Sequence, residues 1–175
     1  MKKICVITLV LFVFLVMING CSKSDATVFH AARELPFPVL VPDPLPEGWE
    51  VVETVYEDEL LVVSYRTGSD SRVELVQDLR IQGLDTLLLR DYLLLGSVNL
   101  PSLEEDKEIR EISNYVGELT VFLEPIQIVQ YTFVTKEDLI RSSGQHVPLY
   151  QVIGKQQATI EEVMELVGSL KTFTH

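Results

Sequence analysis

Side chains able to do covalent or proton chemistry are few and scattered in this chain of 175 residues. Only two thiols occur, Cys5 inside an apolar run and Cys21 just beyond its end. His146 and His175 have no ligand-type residue three or four positions away, and His30 has only Glu34, too few on which to build a metal site. Ser97, Ser113, Ser142, Ser143 and Ser169 lack the glycine-flanked elbow that exposes a nucleophilic hydroxyl. Glu57-Asp58-Glu59 and Glu104-Glu105-Asp106 offer hard oxygen ligands, but without the alternating Asp/Asn spacing and the glycine of a calcium loop. Both clusters read as solvated turns. Paired carboxylates of a hydrolase stay open, because their pairing is spatial and 26 acidic residues supply many candidates. On balance the pattern predicts no catalytic residue, no metal and no cofactor.

Cys21 is the one residue whose neighbours assign it a reaction. Lys2 and Lys3 precede an apolar run from Ile4 to Ile18, and Gly20 stands just before the thiol. A basic start, a short apolar stretch and a small residue at the scissile bond are the parts of a secretory signal peptide. At about 1.5 Å rise per residue the run would span roughly 22 Å as a helix, against a bilayer core of about 30 Å. It is too short for a comfortable permanent span. The Gly20-Cys21 junction resembles a lipobox, in which the thiol receives a diacylglyceryl group and a peptidase then cuts on its amino side. The expectation is cleavage between Gly20 and Cys21, with Cys21 lipidated. Residues 1–20 would be a signal peptide, 21–35 a lipidated tether and 36–175 the domain. Two acyl chains at about 0.8 kcal/mol per buried methylene make such an anchor effectively permanent.

Bulk properties narrow the partners. Removing residues 1–20 leaves a chain of ordinary single-domain size. Lys2 and Lys3 leave with it, so the net charge moves from −12 to −14. That surface repels phosphate backbones, which excludes nucleic acid as a natural partner. With Cys5 removed and Cys21 capped, no intramolecular disulfide is available, and the fold must hold by packing.

The elements follow from hydrophobic periodicity. Ser22 to His30 is small and polar and reads as a tether with little order. Pro36, Pro38, Pro42, Pro44 and Pro46 then fix an extended stretch whose apolar residues strap it to the flank of the domain. Trp49 to Tyr56 and Leu60 to Arg66 alternate around an acidic turn and predict a hairpin. Arg72 to Ile81 alternates most cleanly, with Val73, Leu75, Leu79 and Ile81 on one face and Gln77 interrupting it. Further strands are expected at 107–113, 118–123, 126–135 and 147–153. Thr159 and Glu162 form a capping-box pattern ahead of Ile160, Val163, Met164, Val167 and Leu170, which share one helical face. The prediction is an α+β domain: an antiparallel sheet of about six strands with a C-terminal amphipathic helix packed on one face.

Two groups of residues carry a resemblance. Pro42-Asp43-Pro44-Leu45-Pro46-Glu47-Gly48-Trp49 near the start, and Tyr150-Gln151-Val152-Ile153-Gly154 followed by Thr159-Ile160-Glu161-Glu162-Val163 and Ser169-Leu170 near the end, resemble the boundaries of an uncharacterised domain. That domain occurs in Gram-positive lipoproteins and in the extracytoplasmic parts of anti-sigma-like membrane proteins. The resemblance implies a strand-rich domain with a terminal helix and an address on the outer face of the cytoplasmic membrane. It implies no catalytic or ligand-binding residue.

The segment from Leu84 to Leu95 is crowded with leucines. On a helix, at about 100° per residue, they would cover almost the whole circumference, so one buried face cannot hide them all. Leu87, Leu88, Leu89, Tyr92, Leu93, Leu94 and Leu95 therefore form a candidate contact surface, set against the alternative of a buried plug on the open side of the sheet. The function expected is a lipid-anchored extracytoplasmic interaction or sensory module without catalysis, binding an envelope protein partner. The alternative is a carrier for an acyl chain or another apolar ligand, held between sheet and helix.

Overall fold

The computed structural model describes residues 22–96, 107–123, 125–142 and 147–174. The elements in chain order are α1 (Ser22–Glu34), β1 (Leu40–Pro42), β2 (Glu50–Glu57), β3 (Leu60–Arg66), β4 (Arg72–Gln77) and α2 (Thr86–Leu95). They continue with β5 (Lys107–Ile112), β6 (Tyr115–Phe122), β7 (Ile128–Thr135), α3 (Lys136–Arg141), β8 (Tyr150–Lys155), α4 (Ile160–Ser169) and β9 (Leu170–Thr172).

Seven strands form one antiparallel sheet in the order β2-β3-β4-β8-β7-β6-β5. Two meanders, β2-β3-β4 and β5-β6-β7-β8, meet where β4 pairs with β8, from Arg72↔Lys155 to Gln77↔Tyr150. The α+β class with its antiparallel sheet is as expected, with seven strands instead of about six. A separate two-stranded sheet joins β1 to β9. The proline-rich strap is thus held by backbone pairing beyond the flank packing expected of it.

The hairpin of β2 and β3 turns through Asp58 and Glu59, both at positive φ, with each residue of the acidic triplet exposed. That geometry matches the right-handed strand twist. Alternation then sorts the side chains. Leu61, Val63, Tyr65, Val73, Leu75, Tyr131, Phe133, Tyr150 and Val152 are buried on one face, beneath α4. Val163, Leu166 and Val167 of α4 are fully buried there, and Ile160 and Met164 partly. The predicted capping box is present: the Glu162 amide donates to Thr159 Oγ1 at 3.2 Å, and the Thr159 amide to Glu162 Oε2 at 2.9 Å. Gly154 permits the close approach of α4, since a Cβ there would lie 2.9 Å from Ala158 and from Val163.

Two expectations need correction. Leu79 and Ile81 do not continue the core face of β4, which ends at Gln77; Leu79 is exposed. The Asp78 side chain caps a turn instead, accepting from the Arg80 amide at 2.7 Å and holding the Arg80 guanidinium. The larger correction concerns 21–35, expected as a loose tether. Ser22–Glu34 is helical and packs on β2, burying Val28 and Ala31, with Leu35 just beyond. Ser24 Oγ and Thr54 Oγ1 are 2.6 Å apart, and His30 meets the Tyr56 ring edge-on at 5.5 Å. The packed domain therefore begins ahead of residue 36.

Candidate interaction surface

The second face of the sheet is polar at its centre and apolar near the β5–β6 turn. In that apolar part Val116 and Val134 are buried with Leu89 of α2 and Leu139 of α3, and Tyr92, Leu93, Ile109 and Leu149 pack around them. The helix exists because both ends are capped. Asp85 accepts from the Leu88 amide at 2.9 Å, and Gly96 closes the last turn at φ 73°, which suits glycine, with its amide donating to the Tyr92 carbonyl.

The leucines divide as the circumference argument requires. Leu89 is buried and Leu88, Tyr92 and Leu93 are half-buried, whereas Leu87 (54%), Leu94 (54%) and Leu95 (70%) remain largely in solvent. The helix is therefore part plug and part exposed apolar surface. Ile140 of the neighbouring α3 is exposed as well.

Away from α2 the polar part of this face is laced by compensated charges. Arg72 Nη2 donates to Glu53 at 2.8 Å and to Ser64 at 2.9 Å, Lys155 to Glu74 at 2.6 Å, and Lys107 lies 3.4 Å from Glu118. Gln151 donates to Thr132 at 3.0 Å.

The buried hydroxyls are likewise occupied. Tyr115 donates to the Leu170 carbonyl at 3.0 Å, Tyr131 to that of Arg110 at 2.8 Å and Tyr150 to that of Pro38 at 2.8 Å. Burial raises the pKa of all three above the ordinary phenol value, so they act as neutral donors; Tyr150 ties the strap and Tyr115 ties β9 to the sheet, while Tyr131 reaches β5 within it. Glu162 titrates below the ordinary carboxylate range. Burial alone would raise it, but hydrogen bonds from Ser69, the Thr159 amide, Thr67 and the Thr159 hydroxyl outweigh that effect. Asp78 is also lowered, chiefly by the side-chain hydrogen bond from Arg80, against a smaller upward push from burial.

Hollows open on the surface of the described residues. One, of about 610 Å³, lies where the β5–β6 turn meets α3 and β9. Its cations are already paired: Lys136 with Glu111 at 2.7 Å, Lys171 with Asp43 at 3.2 Å, and Arg141 with Glu137. A second, about 380 Å³, sits at the β2 bulge between Arg66 and Arg72. A third, about 250 Å³ and mainly apolar, lies between α1 and the sheet, lined by Val28, Val41, Leu45, Val63 and Tyr65.

Gly20, Cys21, Ser97, Glu104-Glu105-Asp106, Ser143, His146 and His175 lie outside the described residues. His30 is exposed on α1, Ser113 is exposed in the β5–β6 turn at φ 53°, and Ser142 caps α3 by donating to the Asp138 carbonyl. None of these is brought together with another candidate. Among the described residues no group of three or more His, Cys, Asp or Glu side chains is placed to hold a metal ion, and no helix is long and apolar enough to cross a membrane. Sequence reasoning passed over Phe122, Leu123 and Ile126, three exposed apolar residues around the β6–β7 connection. Their signal was plain, since such connections are normally polar. No protein-family model matches the chain, and neither a curated protein nor a solved structure matches it.

Proposed function

We propose that this chain is a lipid-anchored, extracytoplasmic interaction module, held through Cys21 on the outer face of the cytoplasmic membrane and working by shape instead of catalysis. The observation that carries the reading is the exposure of Leu87, Leu94 and Leu95 on a helix already docked through Leu89. Exposed apolar area on a folded surface usually marks a binding site. The paired charges on the sheet and the neutral, bonded tyrosines favour a scaffold over a proton-transfer site. Kinship with the unknown-function domain of Gram-positive lipoproteins is part of this proposal, and rests on the two boundary motifs.

The test replaces Leu94 with a photo-crosslinking residue in the anchored protein. A discrete envelope protein should be captured, and Leu95→Asp should abolish the capture without lowering the melting temperature. Equal capture by Leu95→Asp, or no capture in repeated trials, overturns the reading. The cavity beneath α1 supports a second reading, a carrier of an apolar ligand. Its 250 Å³ falls below the roughly 300–1,000 Å³ usual for small-molecule sites, so a carrier would have to lift α1. A lipid retained in native mass spectrometry would favour that reading.

A further inference from the structure

We infer that the end of the sheet bearing Phe122, Leu123 and Ile126 is a second membrane contact, laid on the surface of a lipid bilayer beside the anchor. This rests on the reading of Cys21 as lipidated. The three side chains are 45%, 72% and 65% exposed, and Pro125 between them is exposed too. Turn chemistry does not ask for such residues, and the core does not use them.

The register shows which end of the sheet they occupy. Phe122 pairs with Ile128, the neighbouring Val129 pairs with Gly154, Arg72 pairs with Lys155 and with Arg66, and Arg66 pairs with Glu50. The apolar trio thus sits at the end where β2 begins. Along α1, His30 meets Tyr56 whereas Ser24 meets Thr54, so the helix runs in the same direction as β2 and its first residues lie toward the Glu50 end. The chain outside the described residues enters α1 from that side. Because α1 starts at Ser22, one residue after the proposed anchor, there is no slack to hold the domain clear of the headgroups.

From β2 to β6 there are five strand spacings of about 4.8 Å, which puts the anchored edge and the apolar trio roughly 24 Å apart. Two contacts at that separation fix the tilt of the domain. The charges at this end are already matched: Arg66 with Glu50 at 2.6 Å, Arg72 with Glu53 at 2.8 Å and Lys155 with Glu74 at 2.6 Å. Among the described side chains at this end no surplus of cations favours anionic lipid, so insertion of the trio rests on its apolar side chains. The apolar surface of α2 belongs to the other end, since Val116, on which Leu89 packs, is six residues along β6 from Phe122 and about 20 Å away. Membrane and partner would then be met at opposite ends.

The full-length lipidated protein is reconstituted in phosphatidylcholine vesicles, with an environment-sensitive fluorophore on Leu123→Cys or, as the control at the far end, on Glu59→Cys. Unchanged Trp49 emission checks the fold of each variant. The Leu123→Cys probe should shift to shorter wavelengths and be quenched by lipids carrying a nitroxide near the headgroup; the Glu59→Cys probe should do neither. Equal access of both probes to aqueous iodide overturns the inference. A shift that needs no vesicles and grows with protein concentration assigns the trio to a second copy of the chain, and also overturns it. Wild-type protein should have no reactive thiol; labelling at Cys21 would refute the anchor itself, a failure distinct from an unprotected Leu123 on a properly lipidated chain.

Discussion

Gln77 looks misplaced in sequence and is central in structure. It is fully buried on the core face of β4, where its amide bonds both backbone groups of Leu40: Leu40 N donates to Oε1 at 2.8 Å, and Nε2 donates to the Leu40 carbonyl at 3.0 Å. The β1–β9 pair cannot serve those two groups. The bonds that flank it run from Val39 and Asp43, Phe173 N to the Val39 carbonyl and Asp43 N to the Ser169 carbonyl, both at 2.8 Å, and strand alternation turns the groups of Leu40 the other way. Gln77 thus stands in for a strand and ties the proline-rich strap to the sheet. Gln77→Met keeps the length of the side chain and removes both bonds, leaving an amide and a carbonyl of the buried Leu40 without partners. Each such group costs about 1–3 kcal/mol, so a loss of about 3–4 kcal/mol is expected. In urea, with a slope of about 1–3 kcal/mol per molar, the midpoint should fall by about 1 M or more. The only tryptophan, Trp49, is buried near Tyr65 and reports the transition. Hydrogen exchange at the Leu40 amide separates global loss from local release of the strap. A midpoint unchanged within about 0.3 M, together with unchanged protection at Leu40, would refute the reasoning.

Other outcomes follow from the same geometry. Val163→Asp places an unpaired carboxylate at a fully buried position and should cost several kcal/mol; an unchanged melting temperature would show the face open to water. Gly154→Ala should cost about 1–3 kcal/mol, because the new methyl meets Ala158 and Val163 at 2.9 Å; urea unfolding gives the value, and no loss would mean that α4 shifts freely. Asp78 has its pKa lowered in the folded state, so its contribution is present above the unfolded value of about 4 and disappears as pH falls through the folded one. Asp78→Asn should therefore be less stable than wild type at pH 7, and the gap in melting temperature should narrow as pH falls below about 4; a constant gap would contradict the linkage. Cys21→Ala should leave the precursor uncleaved and unlabelled by radioactive palmitate, whereas normal labelling would remove the anchor from the account.

What the sequence disclosed tracks how local the cause was. The β2–β3 hairpin and the capping box were legible because alternation and a three-residue spacing are contained in a few positions. The leucine segment was legible as an overfull helix, but which leucines face out depended on Val116, Val134 and Leu139 from distant strands. Gln77 read as a flaw in β4 because its partner lies 37 residues away. The helix α1 was missed although Val28, Ala31, Ala32 and Leu35 carry the i, i+3, i+4, i+7 spacing; its small polar first turn has the composition of a linker. The candidate surface on α2 was foreseen as a segment, and the apolar trio near β7 was not foreseen.

The seam between β4 and β8 bears on how the polypeptide comes to be folded at all. Arg72 waits for Lys155, and β1 waits for β9, 128 residues after it in the case of Pro42 and Leu170, so the inner face of the first meander is covered only in part, by α1, until β8 and α4 have been made. Closure over such long loops is slow and late. On the proposed reading of Cys21 the chain crosses a membrane before it folds, and that delay would help it, because neither half can set hard on the wrong side before β8 and β9 arrive.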